Sequence, residues 1–153
     1  MIYIFFNKIW NKYFNILNLL WKKARAFSEN GGNVANNAID SDVNTRWESQ
    51  HEKGEPKWIQ IDLEDIYIAN EFKIIWETAS AKEYQIQVSN DGIEWKLVYE
   101  ITNGKEGETK IGNFDSVSTK YVRFMLHLKI KSNKVWYQKI WIITKNVFGL
   151  FPI

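Results

Sequence analysis

The chain has no cysteine in 153 residues, which excludes a disulfide framework, a thiolate metal site and a cysteine nucleophile. It has only two histidines, His51 and His127, and lacks both a Gly-x-Ser-x-Gly nucleophile elbow and a phosphate-cradling glycine loop. Its eighteen Asp and Glu permit carboxylate pairs on paper, but none stands in a recognisable hydrolytic motif. These absences argue against an enzyme. Acid is also missing from both ends: residues 1–23 hold four Lys and residues 127–153 hold five Lys, with no Asp or Glu in either. The middle therefore carries eleven Lys and Arg against all eighteen acids, a net of −7. An acidic middle disfavours a nucleic-acid backbone as partner, because that polyanion needs clustered cations.

What is present suits one folded domain, with 45% hydrophobic and 16% aromatic residues. Residues 58–63 alternate, placing Ile59, Ile61 and Leu63 on one face and Trp58, Gln60 and Asp62 on the other. Residues 84–89 do the same with Tyr84, Ile86 and Val88 inward. Ser89-Asn90-Asp91-Gly92 then predicts a turn, since Gly accepts positive φ and Asp bonds its own backbone, leading into a strand over 95–101. Residues 71–76 and 120–126 are further period-two runs, the latter burying Val122, Phe124 and Leu126 opposite Tyr121 and Arg123. Residues 34–38 form a helical turn, and Gly104 to Gly107 reads as a hairpin loop. Short, closely spaced strands without intervening long helices predict an all-β antiparallel sandwich.

The ends read differently. Residues 2–21 place Asn7, Asn11, Asn15 and Asn18 on one side at helical spacing opposite an aromatic and aliphatic face, which predicts an N-terminal amphipathic helix over an extension of residues 1–23. Its polar interruptions make it a poor membrane span and a poor secretory signal. Packing on its own domain is the expectation.

Between Ala38 and Trp47, five of the six residues 40–45 bear side-chain oxygen: Asp40, Ser41, Asp42, Asn44 and Thr45. Hard oxygens in a tight loop suit calcium, although the spacing is not that of an EF-hand. An Asx-rich turn capping its own backbone is the other reading, and the loop by itself does not choose.

These segments together resemble one family. Ser28-Glu29-Asn30-Gly31-Gly32, the stretch from Ala38 to Trp47, residues 58–63, Trp76-Glu77, residues 84–92 with Trp95, and Tyr121-Val122-Arg123 resemble, in this order, the discoidin or coagulation-factor C-type domain. The resemblance covers residues 24–126. It implies an eight-stranded jelly-roll, galactose-binding-domain-like. Its bacterial members are mostly galactose-binding-like carbohydrate-binding modules attached to secreted glycoside hydrolases, which implies a glycan ligand, a parent hydrolase and an extracellular or cell-surface location. The same resemblance implies a structural calcium held by Asn37 (carbonyl), Asp40 (carboxylate), Asp42 (carbonyl) and Thr45 (carbonyl and hydroxyl). Ser41 stands where the family usually has Gly, so positive φ there is strained. The carboxylate that closes the family's site near the last strand is missing, because no Asp or Glu follows Asp115.

Residues 127–153 lack the family's closing pattern. Residues 131–136, back-translated and read one nucleotide later, allow Arg-Ala-Thr-Lys-Tyr-Gly, which resembles the segment relatives carry there. An out-of-frame tail is thus one account, and strands in a divergent register through Val135-Trp136-Tyr137 and Ile140-Trp141-Ile142-Ile143 are the other.

Binding is expected on loops at one rim. Residues 48–55 follow the ion loop and offer charged and polar tips, and Gln50, His51, Glu77 and Arg123 are candidate sugar-hydroxyl partners. Taken singly, three of these have plainer roles: His51 a solvated loop residue, Glu77 a surface acid and Arg123 a stacked or salt-bridged sheet residue. Trp47 and Trp58 are expected in the core, with Trp76 the candidate exposed platform for a pyranose face, against core packing as the plainer alternative. The leading function is a non-catalytic module recognising terminal galactose-like sugars. The rival is an adhesion domain for a protein or phospholipid surface, which needs exposed apolar spikes on the rim.

Overall fold

The computed structural model describes residues 15–16, 19, 22–50, 57–76, 80–112, 114–127 and 136–144. They form strands β1 (Asn15–Ile16), β2 (Lys23–Ala26), β3 (Trp47–Glu48), β4 (Lys57–Trp76), β5 (Glu83–Ser89), β6 (Lys96–Ile101), β7 (Gly107–Ile111), β8 (Val117–His127) and β9 (Trp136–Thr144), with a 3-10 turn at Ala35–Ala38. All pairing between strands is antiparallel. No helix among these residues is long and apolar enough to cross a membrane.

β4 joins what the sequence presents as two separate strands. Its first half pairs with β2 and β8, β8 follows it past a register shift between Asp62 and Tyr67 as far as Ala69, and the rest pairs with β7 and β9. Glu64 supplies the corner at φ 65°, its N–H donating to Asp62 Oδ1 at 2.8 Å. Such bends let one strand serve two sheets. One layer is then β2, the first half of β4, β8, β5 and β6, and the other is β7, the second half of β4 and β9 with the short β1 and β3.

The layers meet through the alternating residues. Ile59, Ile61, Leu63, Tyr84, Ile86, Val122, Phe124 and Leu126 from the first layer are fully buried, as are Phe72 and Ile74 from the second. Phe72 packs edge-on against Phe124 at 6.2 Å, and Trp76 against Tyr84 at 5.1 Å. Tyr84 and Lys57 both pair with Leu126, so the start and the end of β4 lie at the same end of the sandwich. That end is the rim of interest.

Two sequence expectations change here, the N-terminal helix and the loop at Gly104, and strands are found where the tail was left open. The helix over 2–21 is not continuous, because Asn15 and Ile16 pair with Thr144 and Ile143 in extended backbone; residues 1–14 lie outside the described residues. Residues 136–144 form a full strand on β4, so the tail extends the sheet. Residues 102–106 are not a hairpin loop: β6 pairs with β5 and β7 with β4, so the segment crosses between layers. Gly104 makes that crossing possible. Its N–H donates to Lys82 O at 2.8 Å, and a Cβ there would sit 2.1 Å from the Ala81 carbonyl oxygen. Gly104→Ala is expected to cost about 1–3 kcal/mol from forced backbone displacement, read as a lower urea midpoint.

The turn after β5 is as predicted. Gly92 has φ 76°, and Asp91 Oδ1 accepts from the N–H groups of Ile93 (2.8 Å) and Glu94 (2.9 Å) and from Ser89 Oγ (2.9 Å). Donation from these backbone N–H groups, with the Ser89 hydroxyl, holds the Asp91 carboxyl below its ordinary range. A depressed folded pKa contributes stability that is present above the unfolded value and lost as pH falls through the folded value. Asp91→Asn is therefore expected to flatten the acid limb of stability below the ordinary carboxylate range, checked by thermal melts from pH 7 to pH 2. An unchanged acid limb would show that the turn does not sense the charge.

Candidate functional site

At the rim, Gln50 leaves β3 and is fixed from three sides. Its N–H donates to Ser28 Oγ and its Nε2 to the Glu29 carbonyl, both at 3.1 Å, while its own carbonyl accepts from Lys57 Nζ. Lys57 is fully buried at the start of β4. An ammonium so placed must keep a partner, since an unpaired buried charge is costly. The exposed Gln50 side chain is thus held in position, with no described group donating to its Oε1. His51 and Glu77 lie outside the described residues.

Trp76 is not an exposed platform: it is 2% exposed. It shares parity with the buried Phe72 and Ile74, so alternation carries it inward although it ends the strand. Burial pushes the Tyr84 phenol beside it up from its ordinary value, with the Trp76 and Thr109 side chains pulling back. Trp58 is half-buried rather than core, on the outer face as its parity requires, and Trp47 is fully buried as expected.

Arg123 also stands apart from the rim. It lies on the outer face of the first layer, three rungs from the Lys57 to Leu126 pair. Its Nε and Nη2 both donate to Gln87 Oε1, at 3.0 and 2.7 Å, and its guanidinium lies 3.9 Å from the Trp95 ring centroid. Partial burial lowers its pKa from the ordinary value. It is a stacked sheet arginine, and the structure does not bring it to Gln50.

Glu48, read from sequence as a solvent-facing tip, is 3% exposed, and Ser49 is fully buried. Glu48 Oε1 accepts from Asn30 Nδ2 at 2.7 Å, and Oε2 from Asn33 Nδ2 at 2.9 Å and Arg46 Nη2 at 3.4 Å. Its backbone closes the same unit, accepting from Asn30 N and donating to Asn33 O. This knot holds residues 28–33, which in turn hold Gln50. No local pattern announces it, because the partners arrive from a separate loop.

In the loop after Ala38, Ser41 takes φ 63°, the strained conformation anticipated for a non-glycine residue. Asp40 Oδ1 accepts from Asp42 N, and Asp42 Oδ1 from Asn44 N, both at 2.9 Å, so the Asx-turn reading holds for these two oxygens. Thr45 Oγ1 lies 2.6 Å from Asp40 Oδ2, 3.0 Å from the Asp42 carbonyl oxygen and 3.5 Å from the Asn37 carbonyl oxygen. The four residues named as ion ligands therefore converge. Their ligating atoms include a single carboxylate, that of Asp40, and no group of three or more His, Cys, Asp or Glu able to hold a metal occurs among the described residues.

Two packed antiparallel layers, with a pinned rim beside an oxygen-rich loop, define the galactose-binding-like class of β-sandwich module. The chain belongs to the F5/F8 type C family described as NedA-like, galactose-binding domain, whose model matches residues 37–124. It is similar to chitosan-binding module 1 of a chitosanase/glucanase from Paenibacillus sp. IK-5, with 34% identity, 84% of this chain and 98% of that one covered, and a TM-score of 0.76. The fold also matches CpGH89CBM32-5 from Clostridium perfringens, solved with GalNAc-β-1,3-galactose, at TM-score 0.76 and 23% identity over 84% of this chain and 99% of that one. Among curated proteins it is 27% identical over 107 residues to the polysaccharide lyase 8 family protein HylA of Enterococcus faecalis. That match takes in 68% of this chain and spans 8% of the lyase.

Proposed function

We propose that this chain is a non-catalytic carbohydrate-binding module that recognises terminal galactose-like sugars at its rim and tethers a secreted glycan-degrading enzyme or surface protein to its substrate. The observation that carries this reading is the exposed Gln50 amide, locked by Ser28, Glu29 and buried Lys57 on a scaffold of the galactose-binding family. A preorganised polar group loses little freedom on binding, which a weak sugar site needs. His51, next in sequence, and Glu77, following Trp76, are the proposed partners for ligand hydroxyls. Linked copies or domains raise the modest affinity of one such site by avidity.

A β-linked amino sugar is the second reading, favoured by the 34% identity to a chitosan-binding module. A phospholipid surface is disfavoured at this rim, since of the most exposed aliphatics among the described residues Ile66 (62%) and Ile93 (81%) sit at the bend of β4 and the turn after β5, at the opposite end, leaving only Val43 (66%) in the oxygen-rich loop. A glycan array probed with the purified chain distinguishes these. Selective galactoside signals support the first reading, signals on chitosan oligosaccharides alone support the second, and a blank array with liposome binding rejects both.

We also propose a structural calcium held by the Asn37 and Asp42 carbonyls, the Asp40 carboxylate and Thr45. These hard oxygens fit calcium, and a single carboxylate places the site among weak ones, because affinity follows ligand charge. At calcium a hundredfold above its Kd the stabilisation is about 2.7 kcal/mol, or about 5–10 °C in Tm for a chain of this size. Melts in 10 mM calcium against EDTA should show that rise for wild type and lose it in Asp40→Ala. Identical melts would reject the ion.

A further inference from the structure

The end of the sandwich opposite the rim carries two adjoining clefts. One, of about 230 Å³, is floored by Gln60, Asp62 and Tyr121 and walled by Lys23 and Arg25 of the edge strand β2. The other, of about 330 Å³, lies against Trp95 between Glu94, Lys96 and Ser118. Asp91 lines both, so the clefts adjoin as a trough on either side of the turn after β5, the second reaching Val88 and Val117.

Three features give the trough its chemistry. Each cleft has one aromatic ring in its wall, and both rings are fixed. The Gly92 backbone lies against Tyr121, where a Cβ would be 3.6 Å from the ring, and Trp95 is stacked by Arg123, itself clamped on Gln87. The charges of the lining balance, with Lys23, Arg25 and Lys96 against Asp62, Asp91 and Glu94, while Lys120 and Arg123 lie over the Tyr121 and Trp95 rings at 5.5 and 3.9 Å. The lining itself favours neither sign of charge, whereas hydroxyls, which both donate and accept, find cationic donors and carboxylate acceptors side by side in it. Each cleft is near or below the about 300–1,000 Å³ of a drug-sized pocket, room for one sugar ring or little more.

We propose that this trough is a second saccharide site, taking two consecutive residues of an uncharged pyranose chain, one on Tyr121 and one on Trp95. The proposal rests on the carbohydrate-binding reading and extends it. A module with sites at opposite ends bridges two glycan strands, which the rim alone does not do.

The test is an amide and indole NMR titration of the full chain with the neutral tetrasaccharides of galactose, mannose and glucose. It is run on wild type and on a rim-silenced Gln50→Ala/His51→Ala double variant. The expected result is saturable shifts at Asp91, Gly92 and the Trp95 indole with at least one of these sugars, retained in the double variant. Adding Trp95→Ala is expected to weaken this binding about tenfold, the size of one good aromatic contact. Arg25→Ala, on an exposed edge position, is expected to weaken it without disturbing the fold. Shifts confined to Gln50 and its neighbours overturn the second site and leave the carbohydrate reading standing. A wild type silent to all three overturns the second site together with the galactose-like reading of the rim. A response of Ile66 and Ile93 to phosphatidylserine vesicles, with none to sugar, overturns the proposal in favour of a lipid surface.

Discussion

Trp47→Ala is expected to lower the unfolding free energy by about 3–5 kcal/mol, the range for deleting a large buried aromatic. Trp47 is fully buried between the oxygen-rich loop and the rim, and its Nε1 donates to the Ser28 carbonyl at 3.0 Å. Removal leaves both a cavity and a half-buried carbonyl without its indole donor. The losses separate with Trp47→Phe, which keeps most of the volume but not the donor, and there a cost of about 1–3 kcal/mol is expected. Trp58→Ala, half-buried on the outer face, serves as the comparison and should cost clearly less. Urea unfolding with an unchanged m-value checks all three. Equal midpoints for the Trp47 and Trp58 variants would mean that the loop is not anchored through the indole. Because Ser28 Oγ also accepts from Gln50, loss of Trp47 should weaken rim binding as well.

Glu48→Gln should cost about 1.5–3 kcal/mol despite its near-identical shape, the value of hydrogen bonds to a charged group. Each carboxylate oxygen accepts from a different asparagine amide, and Oε2 accepts from Arg46 as well. A glutamine amide replaces one acceptor with a donor, so either rotamer sets an NH2 against Asn30 or Asn33. Glu48→Ala should cost more, because it leaves three donors facing a void. Residues 28–33 loosen in both variants, and sugar affinity at the rim should fall although Glu48 touches no ligand. Denaturation midpoints and glycan titration measure the two effects. A Glu48→Gln protein with wild-type stability would remove the knot from the account.

The strands were legible because their information is local. Alternation in residues 58–63, 84–89 and 120–126 specifies an inner and an outer face without reference to any partner, and Ile59, Tyr84 and Phe124 are buried accordingly. The same rule, applied through residue 76, puts Trp76 in the core, so its inward position was readable from Phe72 and Ile74. The turn at Asp91 and Gly92 was legible because the bonds that make it lie within the six residues from Ser89 to Glu94.

Other features had no local trace. The corner at Glu64 merges two runs into one strand, and Gly104 reads as turn chemistry until Ala81 is seen 2.1 Å from its missing Cβ. Arg123 resembles a ligand partner until Trp95 and Gln87 are found against it.

By itself the chain determined an antiparallel sandwich, its in-and-out pattern and the oxygen-rich loop, because side-chain period and loop composition are properties of contiguous residues. Only the tertiary structure decided that Glu48 and Lys57 are buried, that Arg123 is spent on the sheet face, and that a charge-balanced trough lies opposite the rim. A polar side chain is buried or exposed according to the partners that distant segments bring to it, and those partners meet only when the two layers close.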